Sequence, residues 1–186
     1  MVIAITGMSG SGKSLLANFF RQHSLSVIHG GHLIIDAMVA RDIDITPDNE
    51  RKFREDIRAK RGKAILAEMA LPSINNALLV SKHVIIDSLY SLSEYKTLKS
   101  AFGLDFIVLA VVAPKQMRYK RLQARHERPL TLSEAEERDL AEVEGIEKGG
   151  PIALADYTIV NDGEPSKMFA EATKILDDLG IVDAGV

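Results

Sequence analysis

The hydrophobic positions of this chain fall into short apolar runs separated by longer segments in which apolar residues recur every three or four positions. The runs cover residues 1–6, 25–29, 83–87, 106–112 and 156–160, and their length and composition are typical of β-strands. The intervening segments have the period of helices with one apolar face. Strands that alternate with helices predict a parallel sheet covered by helices on both faces, so we expect a three-layer α/β/α fold.

The helices are bounded by capping residues, prolines and glycines. We predict helices near Lys13 and at residues 32–41, 47–61, 64–69, 72–80, 91–102, 114–125, 131–144 and 165–179. Pro72 is expected to start a new helix because it lacks the amide proton that would continue the one before it. Residues 145–151 are expected to form a loop, and the chain after residue 179 is expected to fray.

A glycine-rich stretch joins the first predicted strand to the first predicted helix. Residues 7–14 read GMSGSGKS, which fits the phosphate-binding pattern G-x-x-x-x-G-K-[ST], the P-loop. Gly7, Gly10 and Gly12 allow positive φ and a close approach to a ligand. The N–H groups of the loop then point inward and form a nest for an anion.

Two polar side chains follow the glycines. We expect Lys13 to be exposed and to bind the β- and γ-phosphates, and the hydroxyl of Ser14 to ligate Mg²⁺. The free N–H groups at the start of the helix favour the same anion. The alternative is a glycine-rich turn with a surface lysine. We predict that ATP, with Mg²⁺, is held by Gly7, Ser9, Gly10, Ser11, Gly12, Lys13, Ser14 and Leu15.

Composition narrows the class of protein. The chain of 186 residues is expected to form a single domain, residues 1–186. Its net charge of −3 argues against general nucleic-acid binding, and the absence of cysteine excludes disulfides and thiolate sites. We expect no signal peptide, because the first strand is predicted to begin at the second residue. The longest apolar run, residues 106–113, is too short to span a bilayer. We therefore expect a cytoplasmic protein without membrane contact.

Candidate catalytic groups follow the second and third strands. Ligands of parallel sheets bind beyond the carboxyl ends of the strands, so Asp87 is expected beside the P-loop. There it would support Mg²⁺ or the acceptor; the alternative is a residue that caps the next helix. His29 is either a base or hydrogen-bonding group for an acceptor, or a partly buried turn histidine.

Two clusters of basic residues offer further cations. Arg118, Arg121 and Arg125 share one helical face, and cations stabilise the charge that develops in phosphoryl transfer. We choose Arg121 and Arg125 as catalytic because they lie nearest the segment that would close the site. The alternative is a solvated face paired with the acidic helix, where Arg138 is either a lid arginine or an ion-pair partner. The basic residues 51–63 would bind an anionic acceptor or RNA, or form a solvated face.

With these residues in place, the chain resembles the nucleoside-monophosphate-kinase group of P-loop proteins over residues 1–179. It is most similar to dephospho-CoA kinase and an archaeal-type, adenylate-kinase-related family. The resemblance rests on the P-loop, on VIIDSLYS at residues 84–91, on the arginine series, on Arg138-Asp139, and on ALADYTIVNDG at residues 153–163.

The resemblance implies a particular architecture and set of partners. It implies a five-stranded parallel sheet of order 2-3-1-4-5, a helical acceptor region at about residues 30–80 and a short lid at about residues 125–138. In this group the loop after the last strand borders the adenine, which adds Asn161 and Gly163 to the nucleotide site. The implied activity is ATP- and Mg²⁺-dependent phosphoryl transfer to a small, nucleotide-like acceptor.

Two positions depart from the group. Related kinases commonly read G-D-x-[IL]-R after the second strand, where this chain has Ile35 in place of the arginine, and D-G-x-R-S after the third, where it has Tyr90. The donor half of the site is kept and the acceptor half is altered. Two other functions therefore stay open: a nucleotide switch or slow ATPase that acts through a macromolecular partner, and phosphorylation of RNA through residues 51–63.

Overall fold

The computed structural model describes residues 1–181, and its centre is one parallel sheet. The strands are β1 (Val2–Thr6), β2 (Ser26–His29), β3 (Val84–Asp87), β4 (Phe106–Val112) and β5 (Tyr157–Val160). They lie in the order β2-β3-β1-β4-β5, and every pairing is parallel. This confirms the predicted fold class and strand order. The fraying expected after residue 179 was wrong for Ile181, which is buried in the core; residues 182–186 lie outside the described residues.

Helices connect successive strands and cover both faces of the sheet. They are α1 (Lys13–Gln22), α2 (Gly30–Val39), α3 (Pro47–Arg61), α4 (Ile65–Val80), α5 (Leu92–Phe102), α6 (Lys115–Gln123), α7 (Leu132–Leu140), α8 (Gly149–Ala153) and α9 (Pro165–Asp178). Residues 30–80 thus carry α2, α3 and α4, and residues 125–138 form the loop after α6 and most of α7. Their roles as acceptor region and lid stay predictions.

The alternation of side chains along β1 divides the core into two layers. All five residues of β1 are buried. Ile3 and Ile5 pack toward α1 and α9, whereas Val2 and Ala4 pack toward α4 and α5. Because successive strand residues face opposite sides, a central strand with both faces covered is mostly apolar; the buried exception, Thr6, donates its hydroxyl to the carbonyl oxygen of Leu89.

Several predicted helix boundaries were wrong. Pro72 lies inside a single helix, α4, since buried Ala70 and Ile74 on either side of it anchor both halves. α2 begins at Gly30, two residues before the predicted start. After α7, residues Ala141–Gly145 form a π-helical turn, and α8 occupies part of the segment predicted as a loop. Within residues 1–181, no helix has the length and apolar character needed to cross a membrane.

Candidate active site

The loop between β1 and α1 has the backbone geometry of an anion nest. Gly7, Gly10 and Gly12 have φ of 142°, 81° and 108°, as predicted. A Cβ at Gly7 would collide with the carbonyl oxygen of Val111, and one at Gly12 with the amide of Asn161, so side chains are excluded at both. No side chain within the described residues caps α1. Its first N–H groups therefore remain for a bound anion.

Lys13 folds back over this loop. Its Nζ donates to the carbonyl oxygen of Met8 at 3.0 Å, and the side chain is half-buried. The expectation of an exposed lysine was therefore wrong, because Lys13 turns toward the carbonyl oxygen of Met8 in its own loop. Burial, together with the charge of Lys148, lowers the pKa of Lys13 to about 7. A phosphate would favour the charged form.

A cavity of about 270 Å³ opens above the P-loop. Ser9, Gly10, Gly12, Lys13, Ser14 and Leu15 line its floor. Its walls carry Arg121, Arg125, Arg138 and Lys148, with Glu142 as the acidic side chain among them. The excess of cations makes this cavity attractive to a polyphosphate. Arg121 and Arg125, the two arginines predicted to be catalytic, thus line the same cavity as the P-loop; their catalytic role stays a prediction.

Asp87 lies beside the cavity, in a neighbouring groove that it shares with Ser14, His29 and His32. Its Oδ2 accepts a hydrogen bond from Nδ1 of His29 at 2.7 Å, and its Oδ1 accepts one from the Ser88 hydroxyl at 3.1 Å. Burial raises the pKa of Asp87, but the hydrogen bond and charge of His29, the hydrogen bond from Ser88 and the charge of Lys13 together outweigh it, so the net shift is downward. The same bond raises the pKa of His29.

Ser91, and not Asp87, caps α5, the first helix after β3. The hydroxyl of Ser91 accepts from the N–H of Glu94 at 3.0 Å, which makes Ser91 the N-cap of α5. The alternative interpretation of Asp87 as a helix cap was therefore wrong. Asp87 instead lines the groove together with Ser14. A carboxylate and a hydroxyl are oxygen ligands of the kind that Mg²⁺ binds.

The arginines of α6 divide into two kinds. Arg118 is buried and pairs with Asp139, through two bonds of 2.9 and 2.6 Å, and with the carbonyl oxygen of Ser9 at 3.0 Å. For Arg118, the interpretation as an ion-pair partner of the acidic helix was right. Arg121 reaches the carbonyl and side-chain oxygens of Asn161 at 3.2 and 3.3 Å. Arg121 therefore lies between the phosphate cavity and the end of β5.

Four predicted nucleotide-site residues lie outside the lining of the cavity: Gly7, Ser11, Asn161 and Gly163. Ser11 is fully buried, and its carbonyl oxygen accepts from Nδ2 of Asn161 at 2.8 Å. Asn161 thus braces the P-loop from below. Gly163 is exposed in the bend after β5, near Lys167. The adenine-bordering role of Asn161 and Gly163 stays a prediction.

Arg118 should contribute to stability rather than to nucleotide binding. We expect Arg118→Ala to lower the free energy of unfolding by about 3 kcal/mol, because it leaves the carboxylate of Asp139 partly buried without its partner. Lys120→Ala, on the exposed side of the same helix, is the matched control and should be nearly neutral. Chemical denaturation measures both; equal unfolding free energies would contradict the structural role.

Sequence reasoning missed Glu142 and Lys148. Glu142 lies in the π-helical turn and accepts from the hydroxyl of Ser9 at 2.6 Å and from Nζ of Lys148 at 2.9 Å. Lys148 is 1% exposed. Burial raises the pKa of Glu142, but the charge of Lys148 and the bond from Ser9 reverse the shift and hold it at about 2. A π-helical turn has no sequence period, so no pattern pointed to either residue.

The region around Tyr90, where the sequence predicts the acceptor, is compact. The ring of Tyr90 lies between the Nζ of Lys148, 4.8 Å from its centroid, and the guanidinium of Arg58, at 5.7 Å. A cavity of about 20 Å³, lined mostly by apolar side chains and by Glu94, adjoins Tyr90. The basic helix is α3, and three of its arginines lie near carboxylates. The distances are 3.8 Å from Arg54 to Glu50, 3.8 Å from Arg58 to Glu94 and 3.7 Å from Arg61 to Glu68.

Comparison with solved structures finds proteins of similar fold. A structure of TT1252 from Thermus thermophilus matches 96% of this chain and 97% of its own, with a TM-score of 0.70 and 20% identity. Shikimate kinase from Bacteroides thetaiotaomicron matches 97% of this chain and 98% of its own, with a TM-score of 0.60 and 13% identity. At these identities the likeness concerns the fold. It supports the P-loop fold and identifies neither of the two narrower families that the sequence resembles.

Comparison of sequences identifies the family. The profile of a family described as "AAA domain" matches residues 3–142. A UPF0200 protein of Thermococcus kodakarensis is 34% identical over 183 residues, which cover 96% of this chain and 98% of the relative. The chain therefore carries the AAA-type P-loop domain and belongs to the UPF0200 family.

Proposed function

We propose that this protein transfers a phosphoryl group from ATP, in the presence of Mg²⁺, to a small, nucleotide-like acceptor. The observation that carries the proposal is the joining of a P-loop nest to several cations in one cavity of about 270 Å³. A buried carboxylate, Asp87, lies in the adjoining groove together with Ser14. Phosphoryl transfer depends mainly on positioning and on stabilisation of the phosphate charge, and these groups supply both.

The residues have distinct roles in this proposal. The P-loop amides and Lys13 hold the β- and γ-phosphates, while Arg121 and Arg125 neutralise the group in transfer. Ser14 and Asp87 are the residues that would hold Mg²⁺, since a hydroxyl and a carboxylate are ligands that this ion prefers. When bound, Mg²⁺ supplies positive charge to the phosphate oxygens. His29 keeps one oxygen of Asp87 oriented through their 2.7 Å contact.

The test is ADP release from MgATP with and without candidate acceptors. The panel contains dephospho-CoA, AMP, adenosine, shikimate and gluconate, and every reaction is repeated with Lys13→Ala as the blank. Release that requires an acceptor, together with a phosphorylated product, supports the kinase. Slow release that no acceptor accelerates would contradict it.

A nucleotide switch is the second candidate, and the compact acceptor side favours it. The adjoining cavity has room for about one water molecule at 20 Å³. The three arginines of the basic helix already lie near carboxylates. If ATP binds tightly and no acceptor is phosphorylated, the switch becomes the better description.

AMP should be a poor acceptor. Its phosphate needs dedicated cations, for which bidentate arginine is the usual clamp, but this chain has Ile35 and Tyr90 at the two expected positions. We expect kcat/KM for AMP to be at least about tenfold below that for dephospho-CoA, whose phosphates lie away from the reacting hydroxyl. A coupled ADP assay measures both values.

The control for this prediction is the basic helix. If Arg54, Arg58 and Arg61 hold the acceptor, changing all three to alanine should lower kcat/KM for dephospho-CoA while the affinity for ATP stays unchanged. Efficient phosphorylation of AMP that survives the triple substitution would show that the acceptor is held in another way.

A further inference from the structure

The structure holds an internal anion in the phosphate site. We propose that Glu142 occupies the place of a phosphoryl group in the nucleotide-free protein, and that nucleotide binding transfers Lys148 from Glu142 to the terminal phosphate. Lys148 is then a second lysine of the phosphate site, in addition to Lys13. The inference rests on the proposed nucleotide site but does not require phosphoryl transfer.

The contacts of Glu142 are those that a phosphate would receive. Its Oε1 accepts from the hydroxyl of Ser9 at 2.6 Å and from Nε of Arg138 at 3.3 Å. Its Oε2 accepts from the backbone N–H of Ser9 at 3.3 Å and from Nζ of Lys148 at 2.9 Å. A loop amide, a hydroxyl, an ammonium and a guanidinium together make the donor set of a phosphate-binding site.

The position of this cluster argues against a purely structural ion pair. Glu142 and Lys148 both line the cavity above the P-loop, as do Lys13 and Arg138. A buried ion pair contributes little net stability, because the cost of removing two charges from water offsets their attraction. Stability therefore does not explain why this ion pair lies at the phosphate loop. A carboxylate that a phosphate displaces on binding would explain it.

The local backbone permits such an exchange. Glu142 belongs to the π-helical turn Ala141–Gly145, and such turns are frequent at functional sites. Glu147, five residues further on, has a φ of 59°, which is uncommon for a residue with a side chain. The turn lies between α7 and α8, so a small movement there would withdraw the carboxylate without disturbing the sheet.

Glu142→Gln is the central test, and Glu144→Gln is its control. Glu144 is exposed in the same turn, and its side chain does not line the cavity. Removing the charge of Glu142 ends the competition for Lys148 and the repulsion of the triphosphate, so we expect Kd for MgATP to fall about tenfold. Kd for Glu144→Gln should stay at the wild-type value. Unchanged or weaker binding by Glu142→Gln would overturn the proposal.

Lys148→Met tests the second part of the proposal, that Lys148 moves from Glu142 to the terminal phosphate. The methionine keeps the length of the buried stem and removes the charge, so binding of MgATP should weaken about tenfold if Lys148 moves to the phosphate. Wild-type affinity in this variant would limit Lys148 to pairing with Glu142. Calorimetry with MgATP alone measures all three variants, so a protein that binds nucleotide without acting as a kinase still gives a decisive result.

The wild-type protein provides a measurement that depends on no substitution. Withdrawal of Glu142 from Ser9 should change amide hydrogen exchange in residues 141–148 when MgATP is added. MgADP, which lacks the terminal phosphate, should have a smaller effect on the same peptide. Exchange in residues 141–148 that MgATP leaves unaltered would overturn the proposal, even if Glu142→Gln fails to fold.

Discussion

Lys13→Ala is expected to remain folded and to lose most of its affinity for ATP and nearly all turnover. The side chain donates only to the carbonyl oxygen of Met8 within the described residues, and burial already disfavours its charged form. The substitution therefore removes no contact on which the core depends. Differential scanning calorimetry should give a Tm equal to or slightly above that of the wild type.

The loss of function follows from the charge that Lys13 would bring to the β- and γ-phosphates. A charge-assisted hydrogen bond contributes roughly 1.5–3 kcal/mol, so Kd for ATP should rise about 10- to 100-fold. Turnover should fall by a further factor of about 10² or more, since the phosphate charge grows in the transition state. Titration calorimetry and the ADP assay measure the two effects.

Lys96→Ala is the control for this prediction. Lys96 is an exposed lysine of α5, on the opposite face of the sheet, and does not line the phosphate cavity. It should bind ATP as the wild type does. If Lys13→Ala also kept the wild-type Kd, the interpretation of residues 7–14 as a phosphate-binding loop would be wrong.

The fold could be predicted because its signals are local and repeated. Each strand is a short apolar run, and each lies between helical segments, so the parallel sheet follows from the pattern. The errors occurred where a tertiary contact overrides a local rule. Pro72 is tolerated inside α4 because the helix is anchored by buried residues on both sides of it. The strand order came from the family resemblance rather than from periodicity.

The candidate site divides in the same way. The P-loop residues and Asp87 were predictable because contiguous residues, or the end of a strand, determine where they lie. Lys148 and Glu142 were not predictable, since 133 residues separate Ser9 from Glu142, which accepts a hydrogen bond from the Ser9 hydroxyl. The burial of Lys13 was also missed, because it depends on tertiary packing around a side chain that turns toward the carbonyl oxygen of Met8. Long-range polar contacts of this kind leave no periodic signal.

Asp87→Asn is expected to keep most of the affinity for ATP and to lose most of the Mg²⁺-dependent turnover. Asparagine has the same shape and still accepts or donates one hydrogen bond to each neighbour, so the contact with His29 need not collapse. What it loses is the negative charge that, with Ser14, would hold the metal or its water. Asp87 is only 4% exposed, so that charge is little screened.

The measurement is a titration of turnover against Mg²⁺ concentration. We expect kcat to fall about 10²- to 10³-fold and the concentration of Mg²⁺ at half-maximal rate to rise. Asp105→Asn, an exposed aspartate just before β4 at the opposite edge of the sheet, is the control and should titrate as the wild type. A wild-type rate for Asp87→Asn at saturating Mg²⁺ would reduce Asp87 to a hydrogen-bond partner of His29. The positive charge that stabilises the phosphate would then have to come from the basic side chains of the cavity, without a metal held by Asp87.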